Sequence, residues 1–427
     1  MYNKILKLLE QHKENFNFID FYNQLHFASK NIDNIRTIII VQFDGIGDIV
    51  SISGCIRELK LNLPNTKLTF CCYENYYELV KFNPYIDEII LFPKILGTNS
   101  YEQIYNIIKI CEPLYEQENH LGIHFQYNEQ NKLGNLILAL TNTYIRIGYS
   151  YQDYLKYIHL PDKNEINDTL LTHIFSPPEN IINMVGRYYY LLLSTFNLLI
   201  EKKLINNYNI TNMKNEIYLN NIAYPITNDI VISLSGSVKA KQYPTDKLIS
   251  MINSLNKTVI LIGGEKEINN SKIIENKCNV INLAGKLSIL ESAYIISKAK
   301  IYIGNDTGMS HIAACLNIPS IILWPEAKNL TNEFIKRKVV NYLSAYTQFM
   351  PFYGISYNNI DFNTNYNLAI KNSLYHSINL QPEKAIYPCT NRKSYGGCSV
   401  ANKNHCISQI EVKDIINAIQ ILTQRFI

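Results

Sequence analysis

The stretch IYIGNDTGMSHIAACLNIPSIILWP, residues 301–325, decides the fold class. An apolar run ends in Gly-Asn-Asp-Thr-Gly, a helical run follows, and a second apolar run, SIILW (320–324), comes next. Strand, glycine turn, helix and strand at this spacing form a βαβ unit, and such units build a parallel sheet covered by helices. The turn carries more chemistry than a fold requires. Asp306 or Thr307 can cap the helix, and Gly308 keeps a side chain out of the way. The first-turn amides, through Met309, are then left to face a ligand, and a helix N-terminus of this kind favours phosphate. His311, about one turn in, can add a donor. The bland alternative is a capped helix with a satisfied histidine.

The same alternation runs upstream. DIVISLSG (229–236) reads as a strand, PTDKLISMINSL as a helix opened by Pro244-Thr245-Asp246, and TVILIGG (258–264) as a strand. SILESAYIISKA is a helix leading into strand KIYIGN. The first half holds strands RTIIIVQF (36–43), KLTFCC (67–72), DEIILF (87–92) and HLGIHFQ (120–126). Helices are predicted through CIRELKLNL, at YYELVKF, near 101–111 and around 179–200. Residues 1–34 read as one or two polar-faced helices, and the Asn-rich 201–228, with Pro225, as a hinge. Two α/β domains of similar size facing a cleft are expected, with no internal sequence repeat.

Composition narrows the classes. A chain of 427 residues, 47% hydrophobic and 18% charged, has core material for two or three domains. A formal net charge of +4 does not indicate nucleic acid, though it suits visits to phosphates or an anionic membrane surface. The opening MYNKILKLLEQHKENF is charged throughout, unlike a secretory signal. The most apolar helical run, YYYLLLSTFNLLI (188–200), is shorter than the ~20 residues of a membrane span. Cys55, Cys111, Cys278 and Cys315 sit singly in apolar runs, as small buried hydrophobes do. A reducing, cytoplasmic setting without disulfides is expected.

Four further motifs can carry chemistry. In FDGIGDIVSISG, Gly45 and Gly47 let the backbone turn tightly beside a ligand. A dinucleotide fingerprint needs a third glycine where Val50 stands, so a nicotinamide site is disfavoured. Asp48 remains, at the carboxyl edge of a parallel sheet where ligands bind, or else merely as a helix cap. SGSVKAKQYPTDKL (235–248) offers Lys239 and Lys241 to a diphosphate, unless both are simply solvated. LIGGEKE (261–267) offers Glu265 and Glu267 to ribose hydroxyls, or two solvated acids on a turn. Cys389, Cys398, His405 and Cys406 could form a Cys₃His metal site, but no C-x-x-C occurs, and we expect no bound metal.

Taken together, these residues resemble glycosyltransferase family 9, the bacterial lipopolysaccharide heptosyltransferases, from about Arg36 to the last helix. GIGDIV matches the family's first loop, KQYP (241–244) its lysine loop with Tyr243 where Trp is common, and GGEKE its Gly-Gly…Glu turn. NLAGKLSILESAYIISKAKIYIGNDTGMSHIAA matches its most specific segment nearly throughout. The closing Cys and Glu-Val pattern follows as well, lacking one early cysteine. Two departures stand out: a leader of about 35 residues, and EAKN after LWP in place of a Gly-Pro-Thr-Asp-type loop.

The resemblance implies the α/β GT-B fold, two Rossmann-like domains whose parallel sheets face a central cleft. The expected division is a helical extension (1–35), an acceptor domain (36–215), a nucleotide-sugar domain (216–385) and a cysteine-containing segment with a terminal helix (386–427). It further implies an inverting, metal-independent transfer of a sugar, heptose from ADP-heptose, onto a lipopolysaccharide core or related surface glycan. Asp48 is then the base, with Gly45 and Gly47 in the acceptor-side loop. Lys241, Glu267, Asp306, Thr307, Gly308, Met309 and His311 hold the donor. No cofactor beyond the nucleotide sugar is implied, and the acceptor would be met at the cytoplasmic face of the inner membrane. The rival readings are a nucleotide-sugar epimerase of the same fold and a silent sugar-nucleotide-binding protein.

Overall fold

The computed structural model describes residues 2–27, 30–94, 100–126, 131–150, 170–178, 184–212, 214–219, 228–236, 239–325, 377–380, 382 and 406–426. The chain forms two compact units, Met1–Ile181 with Val185–Met213, and Ile182–Met184 with Lys214–Ile427.

The first part of the chain runs α1 (Tyr2–Gln11), α2 (Phe18–Asn23), β1 (Thr37–Val41), α3 (Ile46–Ser51), α4 (Ser53–Asn62), β2 (Lys67–Tyr73), α5 (Tyr77–Val80), β3 (Glu88–Phe92) and α6 (Tyr101–Tyr115). It continues with β4 (Asn119–His124), α7 (Asn131–Leu140), β5 (Thr143–Tyr149), β6 (His173–Phe175) and α8 (Met184–Glu201). All six strands are parallel, in the order β3-β2-β1-β4-β5-β6. The centre of the sheet is β-branched and shut off from water: Ile38–Val41 lie beside Leu68–Cys71 and Leu121–His124, all buried. Helices on both faces of a parallel sheet require such continuous apolar strands.

The predicted helical leader is present as α1 and α2. Tyr2, Ile5 and Leu9 turn inward from α1, and the Tyr2 hydroxyl donates to the Ile108 carbonyl of α6. At the far end, α4 ties down the segment that leaves the unit. Arg57 donates to the Asn212 carbonyl at 2.8 Å, while Glu58 accepts from the Thr211 amide at 2.8 Å and hydroxyl at 2.6 Å.

The second unit runs β7 (Asn228–Ser233), a 3₁₀ turn (Lys239–Lys241), α9 (Thr245–Asn253), β8 (Val259–Ile262), a 3₁₀ turn (Glu265–Glu267), α10 (Ile268–Glu275), β9 (Ile281–Asn282) and α11 (Ile289–Ser297). Then come β10 (Ala299–Asn305), α12 (Gly308–Cys315), β11 (Ser320–Leu323), β12 (Ser377–Leu380) and α13 (Val412–Phe426). Its six parallel strands are ordered β12-β11-β10-β7-β8-β9. Counted from β9, that is third, second, first, fourth, fifth, sixth, the same order as the first sheet. Both are the Rossmann order. A Ser288–Glu291 capping box starts α11. Ile415, Ala418, Ile419 and Leu422 of α13 belong to the core beside β7, β8 and β11, so the terminal helix is part of this unit.

Elements β5, β6, α7, α10, β9 and β12 were not expected from the sequence. In β5 the run TYIRIGY carries an arginine, yet every residue is buried. Arg146 is accommodated because its side chain donates to the carbonyls of Leu170, Thr143 and Phe27 at 2.5, 2.6 and 3.2 Å.

Candidate functional site

In an open parallel sheet ligands gather beyond the carboxyl ends of the strands, where the strand order reverses. That point lies between β1 and β4 in the first sheet and between β7 and β10 in the second. The predicted residues fall at these two places, with Glu267 one strand away, after β8.

In the first unit β1 leads through Gln42 and Phe43 to Asp44, and Asp48 stands in the first turn of α3. The capping alternative for Asp48 is not what is found, since the N-cap is Gly45 and no side chain caps this helix. Instead the Tyr188 hydroxyl, from α8, donates to Asp48 Oδ1 at 2.9 Å. Tyr188 is buried, and its phenol is pushed well above the usual range, first by lost hydration and then by the charges of Asp48 and Asp44. It therefore stays a donor to Asp48. The turn itself does not need glycine's conformational freedom: Gly45 has φ −67°, and Gly285 alone among the described glycines has a positive φ. A side chain at Gly45 would project toward Asp48, its Cβ 3.7 Å from Oδ2.

In the second unit Lys241 Nζ lies 2.5 Å from Asp306 Oδ2, both half-buried, so the lysine of the 3₁₀ turn is held at the tip of β10. Thr307 is the N-cap of α12 by its backbone, but neither it nor Asp306 caps through its side chain. That corrects the expectation: Asp306 is engaged by Lys241, and the Thr307 hydroxyl faces the Tyr302 phenol. The amides of Gly308 and Met309 open the helix, where no intrahelical acceptor exists for them. Asn305 ties the parts together, donating to the Ser235 carbonyl at 2.9 Å and accepting from the Tyr243 amide at 3.3 Å. Partial burial pulls the His311 imidazole down to about 4, with Asp306 opposing that shift and Lys241 adding to it. The ring is neutral at pH 7 and offers one N–H, not a charge. Glu267 is buried, and its Oε2 accepts from the Gly264 amide at 2.9 Å, whereas Glu265 is exposed.

One unit thus presents a carboxylate steadied by a buried phenol, and the other a lysine, a neutral imidazole and open helix amides. The family model for glycosyltransferase family 9 (heptosyltransferase) matches residues 130–351, more than half of the 427-residue chain. The chain belongs to glycosyltransferase family 9.

As a member of that family it is a glycosyltransferase, and its sheets fit the GT-B pattern. Lipopolysaccharide heptosyltransferase 1 of Campylobacter coli is 21% identical over 320 residues, 70% of this chain and 86% of that protein. The crystal structure of a family 9 glycosyl transferase from Veillonella parvula superimposes with a TM-score of 0.61 at 14% identity, over 93% of this chain and 100% of the other. The E. coli ADP-heptose lps heptosyltransferase II gives 0.57 at 15% identity, over 92% and 99%.

Of the C-terminal residues weighed as metal ligands, Cys389, Cys398 and His405 lie outside the described residues, as does EAKN; Cys406 is half-buried. Among the described residues no three His, Cys, Asp or Glu side chains group as metal ligands, and no helix is long and apolar enough to cross a membrane.

Several polar residues of the first unit do not stand out in the sequence. Tyr188 was hidden in an apolar helix, and His124 and Gln126 in a strand. The available signal was polar residues two apart at the carboxyl end of a strand otherwise apolar.

Proposed function

We propose that this glycosyltransferase moves a heptose from ADP-heptose onto a hydroxyl of a lipopolysaccharide core or related surface glycan, with inversion at the anomeric carbon. Asp48 is the general base. Its carboxylate takes the proton of the acceptor hydroxyl as that oxygen bonds to the anomeric carbon, and the bond from that carbon to the diphosphate breaks, with its electron pair leaving on ADP. Tyr188 orients Asp48 without competing for the proton, because its own phenol is held in the donor form.

Lys241, the Gly308 and Met309 amides and the α12 dipole meet the charge that grows on the leaving diphosphate. Lys241 can turn from Asp306 toward phosphate with a short side-chain movement, which leaves Asp306 and Thr307 to shape the turn. His311 adds one neutral donor, and Glu267, fixed by Gly264, is the ribose contact. The acceptor is met in the cytoplasm at the inner membrane surface, a setting the net charge of +4 suits.

The observation that carries this reading is Asp48 standing clear of the helix cap and hydrogen-bonded to Tyr188 at the switch point of its sheet. The test is a panel of nucleotide sugars incubated with and without core oligosaccharide, reading nucleoside diphosphate release and glycosylated product. ADP-heptose should turn over only when an acceptor is present. Acceptor-independent release of free sugar, or preference for a uridine donor, would count against it.

A further inference from the structure

From the β1–β4 junction a chain of polar side chains runs back into the core of the first unit. Gln126 Nε2 donates to Asp44 Oδ1 at 2.6 Å. Gln126 Oε1 lies 3.3 Å from His124 Nε2, and His124 Nδ1 lies 2.9 Å from Asn135 Oδ1 on α7. Gln126, His124 and Asn135 are all buried, and Asp44 alone reaches solvent.

Burial lowers the His124 imidazole below its ordinary value, so the ring is neutral and owns a single N–H. Gln126 gives an N–H to the Asp44 carboxylate, and its Oε1 turns to the His124 ring. The ring proton sits on Nδ1, because the atom it faces at the shorter distance, Asn135 Oδ1, can only accept. Nε2 then lies against Gln126 Oε1 at 3.3 Å and backs the amide that holds Asp44. Asn135 thus fixes the ring, the ring backs Gln126, and Gln126 holds Asp44.

The fold makes room for this ring. A Cβ at Gly134, inside α7, would meet His124 Nε2 at 2.2 Å, so the helix carries glycine where its propensity would favour almost anything else. Asp44 does not cap α3, whose N-cap is Gly45. It lies close enough to Asp48 that both carboxylates act on the phenols of Tyr188 and Tyr76. A buried polar relay that ends on a solvent-reaching carboxylate beside the base serves to aim that carboxylate.

We infer that Asp44 binds a second hydroxyl of the acceptor sugar, next to the one Asp48 deprotonates, and that Gln126 and His124 are positioning residues for it. The acceptor is then a sugar with a hydroxyl adjacent to the attacking one. This inference rests on the transferase reading above.

The test uses the full chain, ADP-heptose, a core oligosaccharide acceptor and the analogue of that acceptor lacking the adjacent hydroxyl. Asp44→Asn should raise the acceptor KM at least about tenfold, as loss of a charge-assisted hydrogen bond does, with kcat lowered less than about threefold and ADP affinity unchanged. His124→Phe, which keeps a ring in the Gly134 notch, should raise the same KM by about threefold or more. Combined with Asp44→Asn it should add nothing further. Gln126→Met breaks the relay at a second place should His124→Phe fail to fold. On the deoxy acceptor, wild type and Asp44→Asn should be equally poor, which a merely structural aspartate would not produce. An unchanged acceptor KM in Asp44→Asn, while Asp48→Asn is inactive, would overturn the inference and leave the transfer reading standing. A wild-type enzyme that transfers to no acceptor, yet hydrolyses or epimerises its donor, would remove both.

Discussion

A buried amide with no partner is expensive, and Gln42, two residues before Asp44, holds one. The residue is fully buried, and neither its Nε2 nor its Oε1 meets a partner among the described residues. Gln42→Met keeps the length and removes both polar atoms, so stability should rise by about 1–3 kcal/mol in a thermal or denaturant melt. An unchanged melt would mean that the amide is satisfied after all. At the second switch point Lys241→Ala should weaken ADP by at least about tenfold, read by calorimetry, and unchanged affinity would remove it from the donor site. His311 allows a pH test with a definite sign. Its imidazole is held at about 4 in the folded protein, below the ordinary value of 6.5. Between those values the unfolded chain binds the proton and the folded one does not, so this group's contribution falls as pH drops through that window. The melting temperature of the wild type should decline more steeply from about pH 7 to about pH 5 than that of His311→Asn. Parallel slopes would place the histidine in water.

Strands and helices differ in how openly their sequences declare them. Runs such as TIIIV in β1 and SIIL in β11 are β-branched, bounded by turn residues and buried along nearly their whole length, so pattern alone finds them. Element β5 escaped because Arg146 reads as a surface residue, and only the carbonyls of Thr143 and Leu170 with that of Phe27 in the leader explain its burial. Helix α7 escaped for a related reason. Gly134 weakens the local helical signal, and the ring that requires the glycine, His124, lies on another element. The Lys241, Asp306 and Asp48 positions were legible as candidates because turn chemistry marks them. Gln126 and Tyr188 were not, since their roles arise from partners 82 and 140 residues away. The same dependence on distant partners predicts how the exit segment is held. Glu58→Ala strands buried Arg57 and the Thr211 amide, and should cost about 3–5 kcal/mol in a denaturant melt. Glu118→Ala, whose ion pair with Arg36 is exposed, should leave the melt where it was. Equal losses in the two variants would show that Glu58 is not the anchor.

Two sheets of identical strand order occur in one chain that has no internal sequence repeat. The likeness lies in the alternation of elements and the parallel strand order, which many sequences satisfy, and the difference lies in what stands at each switch point. One switch point bears carboxylates, the other a lysine and open helix amides, and a transfer reaction needs both kinds. Division of labour between the units means that damage to one should spare the function of the other. Asp48→Asn tests this most directly, because it keeps the shape and the acceptor atom for Tyr188 but removes basicity. The measurement is acceptor-dependent ADP release from ADP-heptose, alongside ADP affinity and melting temperature in the same preparation. Turnover should fall by at least about a hundredfold, with affinity and melting temperature little changed. Turnover near the wild-type rate would contradict the assignment of Asp48 as the base.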